Sequence, residues 1–141
     1  MPSNERARLQ AKAQYESIQL LIERLDHAGD CDDALCTQTD DDLNPKDYHD
    51  YDAALNAVLE DPLSVYVRSD WHDIGVEAGD SEFQILLCTG GPAVRITGAL
   101  ENGCVYRAII EYQDWFTEWE SLIDIDVNSA VLSRYSEFFF E

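Results

Sequence analysis

The sequence predicts an α+β fold: an antiparallel sheet of about four strands covered by N-terminal and C-terminal helices. Three observations carry that reading. Apolar residues recur at helical spacing near both ends of the chain, as Ile18, Leu21, Ile22 and Leu25 and again as Val127, Val131, Leu132 and Tyr135. The stretch between residues 63 and 112 contains apolar residues that alternate with polar ones, as strands require. Two tight-turn pairs, Gly90-Gly91 and Asn102-Gly103, punctuate that stretch where a meander needs them. At 141 residues and 16.0 kDa, with 45% hydrophobic residues, the chain is read as one domain over 1–141 with a core of its own.

The elements follow in order. Residues 4–27 read as a helix, with Leu9 and Tyr15 extending its apolar face and Gly29 as its stop. Residues 30–44 have no periodic core and carry Asp30 and the run Asp40, Asp41, Asp42; they read as an acidic loop. Asn44-Pro45 suggests the start of a second helix, whose apolar stripe is Tyr51, Ala54, Leu55, Val58 and Leu59, and Pro62 bounds it. Strand one follows, with Leu63, Val65 and Val67 on one face, and lies beside the others or at one edge. Strand two carries Phe83, Ile85 and Leu87 inward, strand three spans Ala93–Leu100 and strand four spans Cys104–Tyr112. An aromatic turn comes next, with Trp115, Phe116 and Trp119. The last helix covers 127–138 with Asp126 as N-cap, and the chain ends in Phe138, Phe139 and Phe140, aromatics that point to a homodimer.

Charge narrows the function classes. There are 29 acidic residues against 9 basic ones, a formal net charge of -20 and a pI near 4.1. A direct grip on nucleic acid is disfavoured because the long-range field repels phosphate, and anionic membrane surfaces are disfavoured likewise. The polar stretch Pro2–Lys12 has no apolar run behind it, which predicts no secretory leader and a cytoplasmic chain with Cys31, Cys36, Cys88 and Cys104 as free thiols. The acid is uneven. Residues 26–61 hold twelve acids and one base, and residues 111–141 hold eight acids and one base, around a nearly balanced middle.

Motifs for chemistry are sparse. Thr89-Gly90-Gly91-Pro92 lacks the lysine and the strand-to-helix setting of a phosphate loop, and reads as a hairpin turn. Cys31 and Cys36 have no second ligand pair at zinc spacing, and the aspartates from 40 to 52 lack the glycine and the final glutamate of a calcium loop. No metal and no cofactor are expected. The one arrangement that suggests a small-ligand domain or an enzyme is His72 and Cys88 with Arg95, Thr89 and Glu111 converging on one pocket. A buried thiol and a surface histidine are the plainer reading, and Arg95 and Arg107 most simply pair with Glu82 or Glu111. The chain is read as a non-enzyme.

What remains is acid with aromatics, which suits a surface that binds a basic protein. Rows of carboxylates can occupy a groove built for nucleic acid, so the chain has the composition of a DNA mimic. The candidate contact residues are Asp40, Asp41, Asp42, Asp47, Asp50 and Asp52, with Asp47 and Asp50 on one helical face. A second row is Trp115, Glu118, Trp119, Glu120, Asp124 and Asp126. The alternatives are a structural or adaptor domain whose acidity serves solubility or tolerance of salt, and aromatics that close one end of the core.

The stretches Asp61-Pro62-Leu63 to Arg68-Ser69, Glu82 to Ala93 and Glu111-Tyr112-Gln113-Asp114-Trp115 resemble a family of small acidic bacterial proteins of uncharacterised activity, associated with plasmids and integrated elements. The resemblance covers about 60 residues. It implies a mobile-element setting, and with it an anti-restriction or anti-CRISPR type of mimicry; it implies no catalytic residue.

Overall fold

The computed structural model describes residues 5–30, 50–69, 71–76, 79–114, 117–123 and 127–140. Among the described residues lie α1 (Glu5–Asp30), α2 (Tyr51–Glu60), β1 (Ser64–Ser69), β2 (Asp80–Cys88), β3 (Ala93–Glu101), β4 (Cys104–Gln113), β5 (Glu120–Ser121) and α3 (Ser129–Glu137). The fold is α+β, and the strands form one antiparallel sheet in chain order, β1-β2-β3-β4-β5. The sheet has five strands rather than about four. The fifth, Glu120–Ser121, is exposed and polar, so it leaves no alternating pattern in the sequence.

One face of the sheet is covered by helices. Alternation along the three inner strands turns Phe83, Ile85 and Leu87, then Val94, Ile96 and Leu100, then Ala108, Ile110 and Tyr112 into a common core. Onto it α1 lays a stripe at spacings of three and four, Ala7, Ala11, Tyr15, Ile18, Ile22 and Leu25, all buried. Helix α2 adds Ala54 and Val58, and α3 adds Leu132 and Tyr135.

The turns follow backbone chemistry. Asn102 and Gly103 both have positive φ, 54° and 80°, the pair of left-handed residues a two-residue hairpin requires. Asp50 caps the described helix α2: its carboxylate accepts from the backbone N–H groups of Asp52 (2.9 Å) and Ala53 (3.3 Å), while the Asn44-Pro45 pair lies outside the described residues. Asn128 caps α3 in the same way, accepting from Ala130 N at 2.9 Å. The predicted cap Asp126 lies outside the described residues. Helix α1 runs past Gly29 to Asp30, since a glycine near a helix end costs about 1 kcal/mol and does not forbid the helix.

The C-terminal aromatics belong to the core instead of an open patch. The Phe140 ring packs 5.1 Å from Phe83, and Phe139 packs 5.4 Å from Tyr135 edge-on. Tyr135 is fully buried and donates its hydroxyl to Asp61 at 2.7 Å, tying α3 to the end of α2. Tyr15 completes the join by accepting from Asn128 N at 2.8 Å.

Burial, followed by the Asp61 carboxylate, pushes the Tyr135 phenol far above its ordinary value of 10.0. A raised folded value means that the contribution to stability is complete below the unfolded value and is lost as pH rises above about 10. Tyr135→Phe should therefore lower stability at neutral pH by about 1 kcal/mol, the worth of one hydrogen bond. It should also flatten the decline in melting temperature between roughly pH 9.5 and 11.5. Melting curves of the two proteins that stay parallel across that window would show that Tyr135 does not couple to ionisation.

Candidate functional site

Among the described residues, no helix lies over the other face of the sheet. Alternation and register decide what it shows. Arg68 stands beside Glu82, Tyr66 beside Gln84, Gln84 beside Thr97, Thr97 beside Ile109, and Arg95 beside Glu111. On β3 the side chains at the centre of this face are small, Thr97 and Ala99, while larger ones flank them on β2 and β4. The face is hollow for that reason, and the hollow measures about 580 Å³.

One end of the hollow is a built polar cluster. Arg95 Nε donates to Glu111 Oε1 at 2.9 Å, and Arg95 Nη1 donates to Gln84 Oε1 at 3.0 Å. Thr97 Oγ1 donates to the same Glu111 oxygen at 3.1 Å. The pair is largely shielded, with side chains 22% and 15% exposed. Trp119 supplies part of the shield, its ring centroid lying 4.0 Å from the Arg95 guanidinium carbon. The short β5 pairing, Glu111 with Ser121 and Tyr112 with Glu120, brings Trp119 back over β3. At the other end Arg68 and Glu82 form an exposed ion pair. Arg107 projects from the same face, exposed and without an ion pair among the described residues.

Arg68, Arg95 and Arg107 are three of the chain's nine basic residues, and all three project from this face. With Glu82 and Glu111 the face is close to neutral, against a chain at -20. The sequence placed Arg95 with Glu111 as ordinary pairing and expected the same of Arg107. The pairing holds for Arg95; among the described residues Arg107 has no such pair, and Glu82 is taken by Arg68. The missed part is the joining of Gln84, Thr97 and Trp119 to the pair. Its trace in the sequence is the alternate polar pairs Glu82 and Gln84 on β2 and Arg95 and Thr97 on β3.

Of the sequence-predicted contact residues, Asp50, Asp52, Glu118, Trp119 and Glu120 are among the described residues. Asp40, Asp41, Asp42, Asp47, Trp115, Asp124 and Asp126, with most of the 30–44 loop, lie outside the described residues. Asp50 is a helix N-cap with extended backbone. Asp52 is exposed in the first turn of α2, and Glu118 is exposed. Glu120 accepts from the Tyr112 hydroxyl at 3.1 Å; burial first, then this contact, raises the Tyr112 phenol. Trp119 sits on the open sheet face and closes no end of the core.

His72, Cys88 and Arg95 are not brought together. Cys88 packs on the helix side of the sheet and donates to Pro92 O at 3.7 Å, and burial pushes its thiol up, away from the reactive thiolate. Arg95 is on the opposite face. His72 lies in the connection between β1 and β2, beyond the far end of β2, roughly 26 Å of strand from Cys88. Among the described residues no cluster of three or more His, Cys, Asp or Glu is placed to hold a metal ion. No described helix is long and apolar enough to cross a membrane. No known protein family, curated protein or solved structure matches the chain.

Proposed function

We propose that the chain is a protein-binding domain without covalent chemistry of its own, and that the open face of the sheet is its contact surface. One observation carries this: Tyr66, Trp119 and three arginines gather on the uncovered face, and those residue types dominate the energetics of protein interfaces. The partially shielded Arg95–Glu111 pair is held ready for contact, not left to be ordered on binding.

The net charge of -20 sets the kind of partner. It draws basic proteins in from a distance and slows acidic ones, so a nucleic-acid-binding protein is the favoured class. Mimicry of a nucleic acid is the sharper form of this proposal. Its weight falls on exposed acids beside the near-neutral face, such as Glu118 next to Trp119.

The test is capture from a host lysate by three proteins, with elution in rising salt. The wild type should retain a basic protein that duplex DNA competes off. The variant Tyr66→Ala/Arg107→Glu, altered on the open face, should lose it by at least about tenfold. The variant Glu16→Lys/Glu23→Lys, altered on the exposed side of α1, should keep most of it. Equal capture by the open-face variant would move the contact surface elsewhere. Capture indifferent to salt and DNA would remove mimicry.

A second reading has one observation in its favour. A hollow of about 580 Å³ is within the size of small-molecule sites. With Cys88 and His72 absent from it, such a site would bind through Arg95, Glu111 and Arg107 and would carry no nucleophile from either residue.

A further inference from the structure

The two edges of the sheet are built differently. On one side β5 is two residues long and begins with Glu120, which is how proteins blunt an edge. On the other side β1 is six residues long, Ser-Val-Tyr-Val-Arg-Ser, and among the described residues it pairs with β2 alone. It has no proline and no acidic residue. Its one charge, Arg68, is paired with Glu82 inside the same chain. In a chain with 29 acids, the stretch Pro62–Ser69 has none.

The side chains of β1 are also left uncovered. Val65 and Val67 face the helix side with Phe83 and Ile85, yet they are 36% and 45% exposed. Leu63 is 61% exposed just before the strand, and Trp71 just after it is exposed completely. The strand is self-complementary. An antiparallel copy centred on Tyr66 sets Val65 against Val67 twice, on one face, and sets Ser64 against Arg68 twice, on the other. It brings Leu63 of the second copy opposite Ser69, beside the connection that carries Trp71.

We propose that the protein forms a two-fold homodimer in which β1 pairs antiparallel with β1 of a second copy, with the axis at Tyr66. The two sheets become one continuous ten-stranded sheet. Both open faces then lie on the same side, and the two Tyr66 side chains meet at the seam between the two hollows. A second copy of the chain matches this edge. A basic protein, drawn to the acids, has no acid to meet on this edge, whereas a second copy meets valine with valine and serine with arginine. Pairing through β1 does not depend on the open face being a partner site.

Salt separates this contact from the one proposed above. Two copies repel each other through their net charge, so dimerisation should strengthen as salt screens it, while capture of a basic protein should weaken.

The test is sedimentation velocity of the full chain at micromolar concentrations and two salt levels. The wild type should be a dimer and tighter in high salt. Val65→Glu/Val67→Glu places carboxylates opposite each other at both positions and should raise the dissociation constant at least about 100-fold. Val65→Lys/Val67→Glu places lysine opposite glutamate twice and should recover most of the affinity. Tyr66→Cys should give a disulfide between the two introduced thiols on mild oxidation, confirmed by peptide mapping, since directly opposed residues have Cα atoms about 4.5–5.5 Å apart. That cross-link tests the register even if a charged variant fails to fold. A wild-type monomer at roughly 100 µM would overturn the proposal. So would a dimer that survives the double glutamate, or a Tyr66→Cys dimer whose introduced thiols stay unlinked to each other.

Discussion

Gly98→Ala should be among the most damaging single substitutions in this chain, with a loss of about 3 kcal/mol or more. Gly98 lies within β3, on the face that meets the helices, between Phe83 of β2 and Ala108 of β4. A Cβ placed there would come within 1.9 Å of the Arg107 carbonyl oxygen and 2.5 Å of the Phe83 ring. The ring could turn only by disturbing Phe140, which packs against it. The carbonyl belongs to a strand on the same sheet, and no rotamer change relieves that contact. So the strand pair must part locally, and the overpacking cost falls at or above the top of its usual range. For a domain of this size each kcal/mol moves the melting temperature by roughly 2–5 °C. Thermal melting followed by circular dichroism should then show a fall of about 10 °C, or an insoluble product. A shift under about 3 °C would mean that β3 and β4 separate easily. Gly91→Ala is the control, because a Cβ there meets nothing within 4 Å.

That glycine shows where the sequence was readable and where it was not. Asn102-Gly103 announced its hairpin because a two-residue turn demands positive φ, and few residues supply it. Gly98 has no such local mark; its reason is a carbonyl on one neighbouring strand and a ring on the other. The inner faces of β2 and β3 were legible from alternation, since Phe83, Ile85, Val94 and Ile96 are all buried. The same alternation in β1 assigns faces correctly and still conceals that Val65 and Val67 are half uncovered. Periodicity says which way a side chain points and not whether anything lies over it. Phe138–Phe140 misled for a related cause. Three consecutive aromatics after a helix carry no period, and here all three pack on the core. Most of the open-face cluster was out of reach because it is assembled from three strands and the loop before β5. Only the Arg95–Glu111 contact could be guessed, and Trp119 arrives through a strand of two residues.

Glu111 gives the second large effect, and it tests whether the cluster is there for stability. Glu111→Ala leaves the shielded Arg95 guanidinium with Gln84 and the Trp119 ring but no carboxylate, and it strips Thr97 of its acceptor. A cost of about 2–3 kcal/mol is expected, below the full penalty for a buried pair because both side chains keep some contact with water. Arg95→Met/Glu111→Leu removes both charges and keeps the volume. Apolar replacement of a shielded pair is often neutral or stabilising, so the double variant should unfold in urea within about 1 kcal/mol of the wild type. The contrast matters more than either value. If the double variant is stable and fails to capture the partner, the pair is retained for recognition, at no gain in stability. If it is as unstable as Glu111→Ala, the pair holds β3 to β4 in a way apolar packing cannot replace, and the case for the open face would rest on Tyr66 and Arg107. If Glu111→Ala costs under about 0.5 kcal/mol, the cluster is solvated enough to behave as a surface pair. The shielding that holds the pair ready for contact would then be absent.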